Sequence, residues 1–248
     1  MSKGYDAKEY DRGRSGEDFW FWIEEASSLA GLNDDAKILD LGCGTGNYTL
    51  TFVEKFPDAS VFGLEPDAKM VEVARGKDRD RKVNWCIGVG ERMPVKADVF
   101  DCMFSSQVWH HLKDRRGTAR ECLRVLKMGC PNIIRTISHD QWRRKTVVQI
   151  FPEVLESEIR RYPSDDEFKA YFVEAGFRRV RLHDYSFERY TTPNEFIEVA
   201  TKKLWSMFWQ LTEEAISRGV AKMEDFRARN PGVQIRNDEL ITLVEATK

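Results

Sequence analysis

Hydrophobic and polar positions along the chain fall into two alternating rhythms. Short β-rich runs recur at "KILDL" (37–41), "SVFGLE" (60–65), "KVNWCI" (82–87), "VFDCMFS" (99–105) and "PNIIRTI" (131–137). Between them, in "GNYTLTFVEKF" and "RGTARECLRVLK", apolar residues return at helical spacing. Strands alternating with helices predict parallel pairing through right-handed crossovers, and hence a sheet covered on both faces. The pattern changes near the end. "RRVRLHDYSFERY" (178–190) and "LITLVEAT" (240–247) read as strands separated by Thr192–Asp238, a segment that holds one strongly helical stretch, "NEFIEVATKKLWSMFWQLTEEAISRG". Ahead of the first strand, "SGEDFWFWIEEASSLAGL" opens with a cap-like Ser15 followed three residues on by Asp18. It then sets Phe19, Trp22, Ile23, Ala26 and Leu29 on one face, so "FWFW" reads as packing of a core-covering helix.

No repeat, low-complexity segment or linker divides the 248 residues, so one domain is expected over 1–248, with 1–31 as a helical N-terminal cover. A formal net charge of −2, with both signs interspersed, makes no electrostatic case for a nucleic-acid partner. No apolar run approaches the roughly 20 residues of a spanning helix. The polar start "MSKGYDAKEYDRGRSGED" resembles neither a secretion signal nor an anchor. Five cysteines without a C-x-x-C pair or zinc spacing read as reduced thiols, so a cytoplasmic protein is expected.

The chemistry concentrates in "ILDLGCGTGNYTL" (38–50). A strand ends at Leu41, glycines follow at positions 42, 44 and 46, and a helical stretch begins. Glycines permit positive φ and remove the Cβ, so a ligand can lie against the backbone where a helix N-terminus offers free N–H groups. The spacing is G-x-G-x-G, whereas a dinucleotide fold wants G-x-G-x-x-G, and no G-K-[ST] makes a P-loop. About 20 residues on, the next strand ends in Glu65, a carboxylate able to accept hydrogen bonds from both hydroxyls of a ribose.

On these motifs the sequence resembles the class I S-adenosylmethionine-dependent methyltransferases, and within them the type 11 group that includes quinone-biosynthesis C-methyltransferases. "LDLGCGTG" matches the first family motif, "GLEPDAKM" the second, "GVGERMPVKADVFDCMFSSQVWHHL" the adenine loop with the fourth strand, and "RECLRVLKMGCPNIIRT" the passage into the fifth. The resemblance implies an α/β, Rossmann-like, seven-stranded and mostly parallel sheet with an antiparallel last strand, which "ELITLVEATK" fits. It implies S-adenosyl-L-methionine as cofactor and S-adenosyl-L-homocysteine as product. Asp40, Gly42, Gly44, Thr45 and Gly46 would hold the methionine part, Glu65 and Pro66 the ribose side, and Gly90 and Glu91 the adenine loop, with Ser105 and Gln107 following strand four. Tyr10 and Arg12 (or Arg14) are candidates to close over the cofactor. Many relatives carry Asp where this chain has Val89, so adenine is expected to be held by backbone groups and apolar walls.

A sulfonium methyl is already electrophilic, so such an enzyme mainly aligns a nucleophile and excludes water. Ligands bind beyond the carboxyl ends of parallel strands. That rule selects Trp109, His110 and His111 after strand four, and Arg135 and His139 around the end of strand five. His110 and His111 are the candidates for a base, with lining of the site as the plainer reading. An imidazole with the ordinary pKa near 6.5 is available at neutral pH. Vicinal side chains diverge and no third ligand has suitable spacing, so no metal is expected. Segments 138–165 and 192–238, with Trp205 in the latter, read as lids; packing on the sheet edge or against a second copy is the alternative for the long helix. The function expected is direct methyl transfer to a small molecule by a monomer or homodimer, with O, N, S or C as acceptor atom open. A non-catalytic cofactor-binding sensor or partner subunit, and a nucleic-acid or protein methyltransferase, are the alternatives.

Overall fold

Both faces of the central strands are covered, as their unbroken apolar runs require: every residue of β4 (Cys102–Ser106) and β5 (Pro131–Thr136) is buried, and all but the first of β1 (Lys37–Leu41). A computed structural model describes residues 18–248. β1 pairs in parallel with β2 (Ser60–Glu65) on one side and β4 on the other; β2 pairs with β3 (Val83–Ile87) and β4 with β5, also in parallel. The full order is β3-β2-β1-β4-β5-β9-β6, where β6 is Arg179–Phe187 and β9, the antiparallel strand, is Glu239–Thr247. The chain winds outward from β1 in one direction and from β4 in the other. The connections leaving β1 and β4 therefore emerge side by side at the sheet's carboxyl edge, the place where such sheets bind ligands.

The described residues form two compact units, one of 18–136, 166–183 and 243–248, the other of 137–165 and 184–242. In the first, α1 (Phe19–Ala30) packs on α2 (Asn47–Lys55) and on β5 through the buried Trp22, Ile23 and Ala26. Asp18 caps α1, accepting from the Phe21 N–H at 2.9 Å; the cap-like Ser15 lies outside the described residues. α3 (Ala68–Lys77) packs against β2 and β3. A core of Leu39, Met103 and Ile134 from the sheet meets Cys122 and Val125 of α4 (Arg115–Val125) and Phe168 and Phe172 of α8 (Asp165–Ala175).

The second unit holds α5 (His139–Arg144), α6 (Thr146–Ile150), α7 (Glu153–Arg161), α9 (Pro193–Thr201), a 3-10 turn at Ser206–Gln210 and α10 (Glu213–Arg229). It also holds a small hairpin of β7 (Tyr190–Thr191) with β8 (Ile235–Arg236), which the sequence did not announce. The single helix expected over 194–219 is broken twice. Lys203 takes a left-handed φ of 49°, and Thr212 starts a new helix by accepting from the Ala215 N–H at 3.2 Å. The acids Glu213 and Glu214 in the first turn of α10 carry the start signal that the apolar spacing masked. Among the described residues no helix is long and apolar enough to cross a membrane, and no cluster of three or more His, Cys, Asp or Glu could hold a metal ion.

Candidate functional site

The glycine loop is built by three consecutive alternate residues in the left-handed region, with φ of 70° at Gly42, 54° at Gly44 and 81° at Gly46. The Gly42 and Cys43 N–H groups both donate to the Leu64 carbonyl, at 2.7 and 3.2 Å, tying the loop to the end of β2. Gly46 starts α2, and a Cβ there would stand 2.5 Å from the Trp85 ring and 3.0 Å from Ala74 Cβ. Gly44 is different: nothing lies within 4 Å of where its Cβ would be, so this glycine presents open space. Packing needs the flanking glycine, while the middle one leaves room for a ligand against the backbone.

Glu65, at the carboxyl end of β2, turns toward that space. One carboxylate oxygen accepts the Gly44 N–H at 3.1 Å and the other the Asp67 N–H at 3.0 Å. Burial pushes its carboxyl above the usual range, against the opposing pull of those two N–H groups. Asp40 is buried at the end of β1 and accepts the Thr49 hydroxyl at 2.6 Å, which fixes its side chain beside the first turn of α2. Thr45 is buried within the loop, and Pro66 is exposed just past Glu65. Burial, followed by the charges of Asp40 and Glu65, pushes the Cys43 thiol far up, so it stays protonated and is no nucleophile.

At the end of β3 and just past it the chain exposes two apolar side chains, Ile87 (54%) and Val89 (47%), separated by Gly88, whose N–H donates to the Glu65 carbonyl at 3.1 Å. Gly90 packs against Thr118, and the Glu91 carboxylate accepts the Asp114 N–H at 3.3 Å, so Glu91 braces the start of α4.

After β4, Gln107 adopts a left-handed φ of 56° and donates its N–H to the Arg135 carbonyl at 2.9 Å. A 3-10 turn, Trp109–His111, follows. His110 is 8% exposed and its ring centre lies 3.9 Å from that of the exposed His111, with the planes tilted by 48°. Three residues expected to face ligands are turned inward. Trp109 is 1% exposed, packs on Phe168 and Phe172, and gives its indole N–H to the Ser105 hydroxyl at 3.2 Å. The indole is too large and apolar to leave the core, and it takes Ser105 with it. Arg135 is likewise enclosed (4% exposed), its guanidinium 4.6 Å over the Trp22 ring and 5.9 Å from Tyr48, with Nη1 donating to the Ser106 hydroxyl at 3.3 Å.

His139 and Trp205 belong to the second unit. His139 Nε2 meets the Tyr162 carbonyl oxygen at 2.9 Å, and Trp205 stacks on Phe208 with ring centres 6.0 Å apart. Tyr10, Arg12 and Arg14 lie outside the described residues. Sequence reasoning passed over Ile87, which shares the apolar wall with Val89, and Thr49, which holds Asp40. The first has a signal, an apolar residue at the exposed end of an edge strand; the second has only helical position.

Residues 39–134 match the model of a methyltransferase domain family, type 11. The demethylmenaquinone methyltransferase of Lactiplantibacillus plantarum is 26% identical over 190 residues, covering 67% of this chain and 80% of that protein. A crystal structure described as a methyltransferase from an antibiotic biosynthesis pathway of Anabaena variabilis superposes with a TM-score of 0.77 at 19% identity, covering 92% of this chain and 97% of the other. Phosphoethanolamine N-methyltransferase 2 of Haemonchus contortus, solved with phosphomonomethylethanolamine and S-adenosylhomocysteine, gives 0.62 at 17% identity over 98% of this chain and 56% of its own. At these identities the structural likenesses speak for the fold.

Proposed function

We propose that the chain is a class I S-adenosylmethionine-dependent methyltransferase of the type 11 group, whose domain model residues 39–134 match, and that its acceptor is a small hydroquinone-type molecule, methylated on ring carbon. The observation that carries the donor half is the hydrogen bond from Gly44 N–H to Glu65. It joins an open glycine loop to a carboxylate at the point where the strand order reverses.

The residues present fit the cofactor. Glu65 keeps lone pairs for two ribose hydroxyls after serving Gly44 and Asp67, and its cost of burial is relieved by donors that strengthen on binding. Ile87 and Val89 offer apolar walls to an adenine face. Asp40, Gly42, Thr45 and Gly46 form the methionine end, and Gln107 the side toward strand four. When bound, S-adenosylmethionine supplies a sulfonium methyl that is electrophilic without further activation.

The acceptor class rests on the curated relative, whose name identifies a demethylmenaquinone substrate. A hydroquinone carbon is a good nucleophile once the phenolic proton has left, and His110, with His111 second, is the imidazole at the carboxyl edge of β4 that would take it up. The same reading makes the protein cytoplasmic, a monomer or homodimer, with no nucleic-acid partner.

Titration calorimetry with S-adenosylhomocysteine tests the donor half, with an expected Kd on the order of micromolar. Incubation with S-adenosylmethionine and a reduced naphthoquinone, followed by mass spectrometry, tests the acceptor half through gain of one methyl on carbon. Absence of heat at millimolar S-adenosylhomocysteine would overturn the first. Binding without any methylated quinol would overturn the second.

A further inference from the structure

The turn that carries His110 is held by a contact that neither motif describes. Gly42 has no Cβ, and a Cβ placed there would stand 2.5 Å from Val108 Cγ2, 2.8 Å from Cγ1 and 3.2 Å from its Cβ. The branched side chain of Val108 thus lies in the space that the glycine vacates. Two further features aim it there. Gln107 immediately before it has a left-handed φ of 56°, which an unbranched non-glycine residue adopts only where the surroundings impose it, and its N–H is pinned to the Arg135 carbonyl. Immediately after, Trp109 is anchored in the core by its bond to Ser105 and by the Arg115 Nε–H, which donates to the Trp109 carbonyl at 3.0 Å. The His111 N–H closes the turn on the Val108 carbonyl at 2.8 Å. His110 is therefore suspended between a strained residue, a wedge and an anchor.

We propose that Val108 is a positioning residue for methyl transfer: wedged against Gly42, it locks the 107–111 turn to the glycine loop and fixes where the His110 ring stands. Gly42 then has two roles, the positive φ that turns the loop and the missing Cβ that admits the wedge. A shortened side chain at 108 leaves a gap between the two loops, and the His110 ring gains freedom. Reacting geometry tolerates displacements of well under 1 Å, so the freedom matters for transfer rather than for holding the cofactor. This inference rests on reading the glycine loop as the cofactor seat.

Diethyl pyrocarbonate footprinting of the full chain with mass-spectrometric readout tests it, because the four histidines include internal controls. In Val108→Ala, carbethoxylation of the now enclosed His110 is expected to rise about fivefold or more, with His139 and His183 changing less than about twofold. Val108→Thr, which keeps the β-branched shape, is expected to restore protection. If Val108→Ala does not fold, Val108→Cys makes the same comparison. His110 reactivity unchanged, or a rise shared by all the histidines, would overturn the proposal. Calorimetry with S-adenosylhomocysteine on the same preparations separates the two readings. No binding by the unaltered protein overturns the cofactor seat, and intact binding with an unmoved His110 overturns the wedge alone.

Discussion

The Gly44 N–H donates to Glu65 at 3.1 Å, so the glycine loop after β1 and the acid at the end of β2 are one hydrogen-bonded unit. In the proposed function Glu65 receives the ribose hydroxyls, and its bond to Gly44 also shapes the glycine loop. Its replacement therefore removes two things at once. Glu65→Ala is expected to weaken S-adenosylhomocysteine binding by a factor of about 30 to 1,000, the loss of two hydrogen bonds to a charged group. Calorimetry measures it; a change under threefold would remove Glu65 from the binding site.

Gly46→Ala is a stability prediction. The residue has φ of 81°, and the Trp85 ring that a Cβ would meet cannot swing aside, because its indole N–H is held by Asp78 at 3.0 Å. Strain and overpacking together are expected to cost about 3 kcal/mol in urea unfolding. Gly44→Ala, where space is open, should cost only the backbone term of about 1 kcal/mol.

Within the second unit, Glu158 is buried on α7 and paired with Arg161 at 2.6 Å, which also reaches the Ser206 hydroxyl at 3.2 Å. Burial raises its carboxyl above the usual range and outweighs the attraction of Arg161. A raised folded value means the residue's contribution is fully present below the ordinary carboxyl pKa and is lost as pH rises through the folded one. Glu158→Gln keeps an acceptor for Arg161 without the charge. Its melting temperature should match the unaltered protein near pH 4 and exceed it increasingly toward neutrality. An opposite trend in calorimetric scans would show that the ion pair stabilises the unit.

Asn132 is buried in β5, and neither amide atom has a hydrogen-bond partner among the described residues. An unsatisfied buried amide is destabilising, and valine suits a central strand. Asn132→Val is expected to raise stability by about 1 kcal/mol, read as a higher urea midpoint at constant slope.

Central strands were legible because burial on both faces writes itself as continuous apolar runs. β2 spans the same residues that its pattern predicts, while β4 begins three residues later than expected, because Phe100 forms an isolated bridge with Leu126. The helices of the second unit were legible in composition but not in boundary. "NEFIEVATKKLWSMFWQLTEEAISRG" keeps helical spacing through Trp205, Phe208 and Trp209, yet Lys203 reverses the backbone and the Trp209 indole N–H caps its carbonyl at 2.8 Å. A spacing rule counts residues and does not see a turn made by one unusual φ.

By itself the sequence determined the strand–helix alternation, the glycine loop and the acid about one crossover later, since each depends on residue type and local spacing. Tertiary structure alone decided which side chains after β4 and β5 remain at the carboxyl edge. Trp109, Ser105 and Arg135 stand at positions that the ligand rule selects, but their rings, hydroxyl and guanidinium find partners in the packed interior. The Val108–Gly42 contact joins the loops that follow two strands adjacent only because β4 returns to the other side of β1. Spacing along a chain carries the first kind of information. The second exists only after the sheet has brought distant loops together.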